Sequence, residues 1–134
     1  MPLNAIIVDD EQLARDELAY LLKNVDDVRV LAQGKNGVEA INLIREHAPD
    51  LVFLDVQMPG LDGLAVTRAW RRRGGSAATL PFVAMTGSTE PEDVAACRAA
   101  GMGPILTKPF PLSDLQRALL EAIDSGAAAA PRRG

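Results

Sequence analysis

The chain has one cysteine, Cys97, so no internal disulfide can form and the fold must rest on its core. It has one histidine, His47, with no second His or Cys nearby, which leaves no nitrogen or sulfur set for a transition metal. Basic residues are in deficit. The net charge is −4 and the pI near 4.9, which excludes an extended phosphate-binding surface and predicts no direct nucleic-acid contact. The one basic run, Arg71 to Arg73, reads as a solvated helix end, where cations complement the helix dipole. No apolar run approaches the ~20 residues of a membrane span. The N-terminus lacks the charged start and long apolar core of a secretory signal. A cytoplasmic protein without a membrane segment is the expectation.

What is present is enough for one core. The 134 residues are 48% hydrophobic and 24% charged, ordinary for a single globular domain. Strand and helix patterns alternate five times. Leu3 to Val8 is a continuous apolar run, as in a parallel strand buried on both faces. From Glu11 to about Asn24 the period becomes helical, with Ala14, Leu18, Leu21, Leu22 and Val25 on one face. Strands follow at Val28 to Ala32, Leu51 to Leu54, Pro81 to Met85 and Ile105 to Thr107. Between them the pattern predicts helices at Gly37 to His47, with Val38, Ile41 and Ile44 inward, at Leu64 to Arg72, and from Pro91 to Ala100 with Gly101 as cap. Gly74-Gly75-Ser76 releases the chain after the third helix. A last helix opens near Ser113, with Leu115, Leu119 and Ile123 at helical spacing. Residues 1–124 form the domain, and 125–134 read as a flexible tail or truncated linker, since Gly126 and Pro131 oppose a long helix. The right-handed crossover rule makes this a doubly wound α/β sheet with helices on both faces.

Chemistry collects at the strand ends. Asp9 and Asp10 follow the first run, Asp55 the third, Thr86 the fourth and Lys108 the fifth. In an open parallel sheet these ends line one ligand crevice. Two carboxylates about 5 Å apart at an effective dielectric of 20 repel by roughly 3 kcal/mol, which a hard cation relieves. Mg²⁺ suits the site, because it takes one or two carboxylates, keeps several waters and completes its shell with phosphate oxygen. Asp55 is the natural nucleophile, as a carboxylate can form an acyl phosphate. Lys108 and Thr86 would meet the phosphoryl oxygens, and Gly87 leaves room beside them. Taken singly, each residue has a structural reading: the Asp pair as a helix cap, Asp55 as a turn opener, Thr86 as a strand-end hydroxyl, Lys108 as a surface cation. Their order along the chain favours function.

Other chemistries fit less well. An FMN carrier needs a Ser/Thr/Gly-rich phosphate cradle after the first strand, where this chain has Asp9-Asp10-Glu11. A haloacid-dehalogenase-type phosphatase places a second Asp two residues after its nucleophile, and position 57 is Gln.

The segments Ile7-Val8-Asp9-Asp10-Glu11, Leu54-Asp55-Val56-Gln57-Met58-Pro59-Gly60-Leu61-Asp62-Gly63, Ala84-Met85-Thr86-Gly87 and Leu106-Thr107-Lys108-Pro109-Phe110 resemble those of response-regulator receiver domains, over about residues 3–124. The resemblance implies a flavodoxin-like (βα)5 fold with sheet order 2-1-3-4-5. It implies Asp55 as phosphoacceptor, with Thr86 and Lys108 assisting. Asp9, Asp10, Asp55 and the Gln57 carbonyl would hold Mg²⁺. The donor would be a histidine kinase or histidine phosphotransfer protein, with a downstream output and a homodimer through helices 4 and 5. Lys108-Pro109 would be cis. Gln57 and Ser88, two positions after Asp55 and Thr86, would tune the acyl phosphate's lifetime, and neither is charged. Two features depart from the pattern. Ile105 stands where the family commonly has an aromatic, which puts the usual Thr–aromatic switch in doubt and keeps open a binding module indifferent to phosphorylation. The VDDEQLARDEL opening resembles regulators with a LytTR DNA-binding domain, while AAGMGPILTKPF resembles receivers of hybrid kinases, as in a natural recombinant or an engineered chimera.

Overall fold

The structure, a computed structural model, describes residues 3–25, 27–75 and 79–129. Five strands and five helices alternate: β1 (Leu3–Val8), α1 (Gln12–Leu22), β2 (Val28–Gly34), α2 (Gly37–His47), β3 (Leu51–Asp55), α3 (Gly63–Arg71), β4 (Phe82–Thr86), α4 (Pro91–Ala100), β5 (Ile105–Thr107) and α5 (Leu112–Ala129). All strand pairs are parallel and the order is β2-β1-β3-β4-β5, as the resemblance implies. Among the described residues, no helix is long and apolar enough to cross a membrane.

The continuous apolar strands are explained by two packed layers. Successive side chains point to opposite faces, so Ile6, Val8, Val52, Leu54, Phe82 and Ala84 meet α2, α3 and α4 through Ala40, Ile44, Val66, Trp70 and Cys97. Their neighbours Ala5, Ile7, Phe53, Val83, Met85 and Leu106 meet α1 and α5 through Leu18, Leu22, Leu115, Ala118 and Leu119. Cys97 is 1% exposed and serves as a small packing residue.

Three expectations change. Val38 is 62% exposed, and the inner face of α2 is Gly37, Ala40, Ile41 and Ile44. The helix phase is set at Gly37, where an added Cβ would come within 2.2 Å of the Leu61 carbonyl, so Val38 is turned outward. Arg71 is not a solvated end: its Nε and Nη2 donate to the Gly101 carbonyl at 3.1 and 2.7 Å, and its guanidinium lies 5.0 Å from the Phe82 ring centre. Burial accordingly lowers its pKa. Finally, α5 continues to Ala129, past the expected boundary at 124, because its run of alanines outweighs one glycine. Ile123 is 43% exposed, and Leu115, Ala118, Leu119 and Ala122 form the buried stripe of α5. Ser76, Pro131 and the rest of the expected tail beyond Ala129 lie outside the described residues.

Candidate functional site

Strand register brings the strand-end residues together. Val8 pairs with Leu54, so Asp9 emerges beside Asp55. Asp55 is level with Met85, one residue before Thr86. Thr86 is level with Thr107, one residue before Lys108. The crevice therefore gathers Asp9, Asp10, Asp55, Thr86 and Lys108 at the carboxyl edge of the three central strands and β5.

The loop after β3 is shaped for close approach. Gly60 has φ +76° and Asp62 caps α3 by accepting from the Ala65 N–H at 2.9 Å. At Gly63 a Cβ would stand 2.4 Å from the Asp55 carbonyl oxygen, so any side chain there would push on the backbone that carries the Asp55 carboxylate.

Asp9 is 1% exposed and Asp55 5%, whereas Asp10 is exposed. One carboxylate oxygen from each of the three lies within 4.8 Å of the others. Lys108 Nζ donates to Asp9 Oδ2 at 2.6 Å and stands 3.5 Å from Asp55 Oδ1. The Lys108-Pro109 bond is cis. Backbone N–H groups serve the same carboxylates: Glu11 donates to Asp9 Oδ1 at 2.9 Å and Gln57 to Asp55 Oδ1 at 3.3 Å. Thr86 is 4% exposed, and its Oγ1 accepts from the Ser88 N–H at 3.1 Å. A Cβ at Gly87 would meet no atom within 4 Å, so there is open space beside Thr86.

Three carboxylates share one ammonium, and the Asp55 carboxyl shows the imbalance. Burial first, then the Asp9 charge, raise its pKa from 3.8 to about 7, against the lowering effect of Lys108. The Lys108 pKa is also raised, which holds its amine charged. Burial works to lower its pKa, but the hydrogen bond to Asp9 and the charges of Asp55 and Asp9 outweigh it and raise it. The donor set is all oxygen, compact and over-negative, which fits a hard divalent cation better than a soft one.

Arg15 is a site residue that the sequence reading does not single out. It lies one turn into α1 and its Nη1 donates to the Asp9 backbone carbonyl at 2.6 Å, holding the β1–α1 turn. Its helical position six residues after Asp9 was the available signal. Beside the site a groove of about 710 Å³ runs between α1 and the segment after β5, lined by Leu13, Leu18, Tyr20 and Phe110 with Asp9 and Lys108 at one end. Leu13 and Tyr20 are 72% and 67% exposed along it.

Residues 5–120 match the family model described as the response regulator receiver domain. The chain is 40% identical over 121 residues to the positive alginate biosynthesis regulatory protein of Pseudomonas aeruginosa, covering 90% of this chain and 47% of that one. It is 40% identical over 123 residues to response regulator MprA of a Mycobacterium species, covering 90% and 51%. The chain thus spans about half the length of these relatives. Among solved structures it resembles the receiver domain of a sensor histidine kinase from P. aeruginosa, described with a magnesium ion coordinated in its active-site cleft. That match has TM-score 0.81 and 27% identity, and covers 92% of this chain and 99% of that one.

Proposed function

This chain belongs to the response regulator receiver family, and on that premise we propose that Asp55 takes a phosphoryl group from a histidine kinase or histidine phosphotransfer protein. As a receiver domain it is a signalling phosphoacceptor within two-component systems. The observation that carries the finer reading is the Asp9–Asp10–Asp55 cluster with Lys108 3.5 Å from the Asp55 carboxylate.

An Asp55 oxygen attacks the phosphorus of a phosphohistidine. The new O–P bond makes an acyl phosphate, the donor's P–N bond breaks, and the released imidazole keeps the electron pair and takes a proton from solvent. Lys108 meets the charge on the transferred oxygens, and the Thr86 hydroxyl donates to another. Asp9, Asp10, Asp55 and the Gln57 carbonyl would hold Mg²⁺, which when bound neutralises phosphoryl and carboxylate charge together. The net charge of −4 supports a protein partner over nucleic acid, and the cytoplasm as the place of action fits the donor class. The α1 groove, which ends on Asp9 and Lys108, suits an apolar helical face of the donor. Exposed Leu120 and Ile123 on α5 support a homodimer through α4 and α5.

Metal removal tests this reading. Incubation with acetyl phosphate and Mg²⁺ should add one phosphoryl group by intact mass, and chelation with EDTA should abolish the adduct. Equal uptake with and without the metal would overturn the site.

Ile105 favours a modest switch at β5. It is half-buried and packs on the core face that contains Cys97 and Met102. A ligand shifts a two-state equilibrium only by its differential affinity, and no ring is available here to bury differently in the two states. Beryllofluoride with Mg²⁺ should give large amide NMR shifts around Asp9, Asp55, Thr86 and Lys108 and weaker ones from Ile105 to Leu115. Ile105→Tyr should enlarge the weaker set. A response from Ile105 to Leu115 in the unmodified protein as large as the local one would refute this.

A further inference from the structure

The end of the molecule away from the acidic crevice carries a pocket that the phosphoryl chemistry does not use. It lies at the amino edge of the sheet, between the C-terminal ends of α2 and α3 and the segments that lead into β3 and β4. Its volume is about 510 Å³, within the range of small-molecule sites. Ile44, Pro49 and Leu80 give it aliphatic walls, and Arg45, Trp70 and Arg73 supply its polar side chains. The five residues of β4, roughly 17 Å of strand, separate it from the crevice.

All three polar side chains of this lining are donors. Among the described residues, Trp70 Nε1 is the one buried side-chain nitrogen or oxygen without a hydrogen-bond partner. Trp70 is 9% exposed, so its N–H has left water and gained no acceptor in return, which is costly and uncommon for a buried indole. The Arg73 guanidinium stands over the ring, 4.7 Å from its centre. Arg45 and Arg73 are both exposed, and among the described residues neither forms a salt bridge. Complementing the helix dipole accounts for arginines at the ends of α2 and α3. It does not account for the orphaned indole.

We propose that this pocket is a second binding site, for a small organic anion with an apolar body, of the monocarboxylate class. The carboxylate accepts from the Trp70 indole N–H and pairs with Arg45 and Arg73, while the body lies against Ile44, Pro49 and Leu80. An ionised carboxylate only accepts, so it matches a lining whose side chains only donate. An alcohol brings less charge to the two guanidinium groups, and a cation is repelled by them. Arg73 is the movable cover. A charge-assisted bond to a sheltered carboxylate outweighs its exposed contact with the ring face, so it swings from the indole to the anion. The site is independent of Asp55, and its occupancy leaves the crevice open.

Trp70 is the only tryptophan, so its indole N–H gives a single signal in the nitrogen–proton NMR spectrum of the whole chain. Cyclohexanecarboxylate is the probe and cyclohexylmethanol its neutral counterpart, and neither has a ring current to confuse the shift. The carboxylate should move the indole signal downfield and saturably, together with the Ala48 and Leu80 amides. The Asp9, Asp55 and Leu13 amides should stay in place. The alcohol should bind at least about tenfold more weakly, and so should the carboxylate to the Arg45→Gln/Arg73→Gln double variant. Arg45→Lys/Arg73→Lys, which keeps the charge, should recover part of the loss. Should the double variant fail to fold, the comparison of acid and alcohol on the unmodified protein decides alone. No saturable indole shift, equal affinity for the alcohol, or undiminished affinity in the glutamine variant would overturn the site. A response centred on Leu13 and Lys108 would place the anion at the crevice and overturn it as well.

Discussion

Asp55→Asn should abolish covalent phosphoryl uptake while the protein remains folded. The amide has the shape of the carboxylate, so the contact between Gly63 and the Asp55 backbone is undisturbed, but its oxygen no longer carries the charge that attacks phosphorus. Asp9→Asn should behave differently, weakening the metal site and leaving the acceptor in place. Intact mass after acetyl phosphate and Mg²⁺ separates the two variants. Stoichiometric uptake of acid-labile phosphate by the Asp55→Asn protein would assign the acceptor to another residue.

In metal-free buffer, stability should fall as pH rises from about 4 to about 7, the reverse of the usual carboxylate effect. The Asp55 pKa is raised from 3.8 to about 7, chiefly by burial and then by Asp9. Between those values the native protein keeps a proton that the unfolded chain has released. Stability rises with pH only where the unfolded state binds more protons, so here it declines. Above about pH 7 both states are ionised and this contribution levels off. A shift of this size corresponds to a few kcal/mol, on the order of 2–4. Asp55→Asn removes the penalty. In EDTA the variant should melt above the unmodified protein at pH 7 to 8, and the two should converge near pH 4. Mg²⁺ should narrow the gap by stabilising the unmodified native state. Thermal melts across this range check the sign, and a stability that rises from pH 4 to 7 with no gain in the variant would refute the raised Asp55 pKa.

The strands and the crevice were legible because their signals are local. A strand buried on both faces reads as an unbroken apolar run, and β1, β3 and β4 do. The residue after each run must then sit at the sheet's carboxyl edge, which placed Asp9, Asp55, Thr86 and Lys108 before any register was known. What stayed hidden depends on contacts between distant segments. The outward turn of Val38 is decided by Leu61 pressing on Gly37, and periodicity alone leaves that helix phase free by one position. Arg71 reads as a helix-end cation until the end of α4 supplies a carbonyl and β4 a ring. Arg15 and Asp93 are ordinary helix residues by composition, and their partners, a backbone carbonyl and a loop hydroxyl, have no sequence signature.

Reductive trapping is the most direct test of the central claim. The protein is phosphorylated with acetyl phosphate and Mg²⁺, treated with borohydride and mapped by peptide mass spectrometry. Borohydride reduces an aspartyl phosphate to homoserine, so the modified position names the acceptor. Homoserine at position 55, absent when EDTA is included, is the predicted result. Homoserine at Asp9, Asp10 or elsewhere, or a stable adduct that yields none, would contradict Asp55 as the phosphoacceptor.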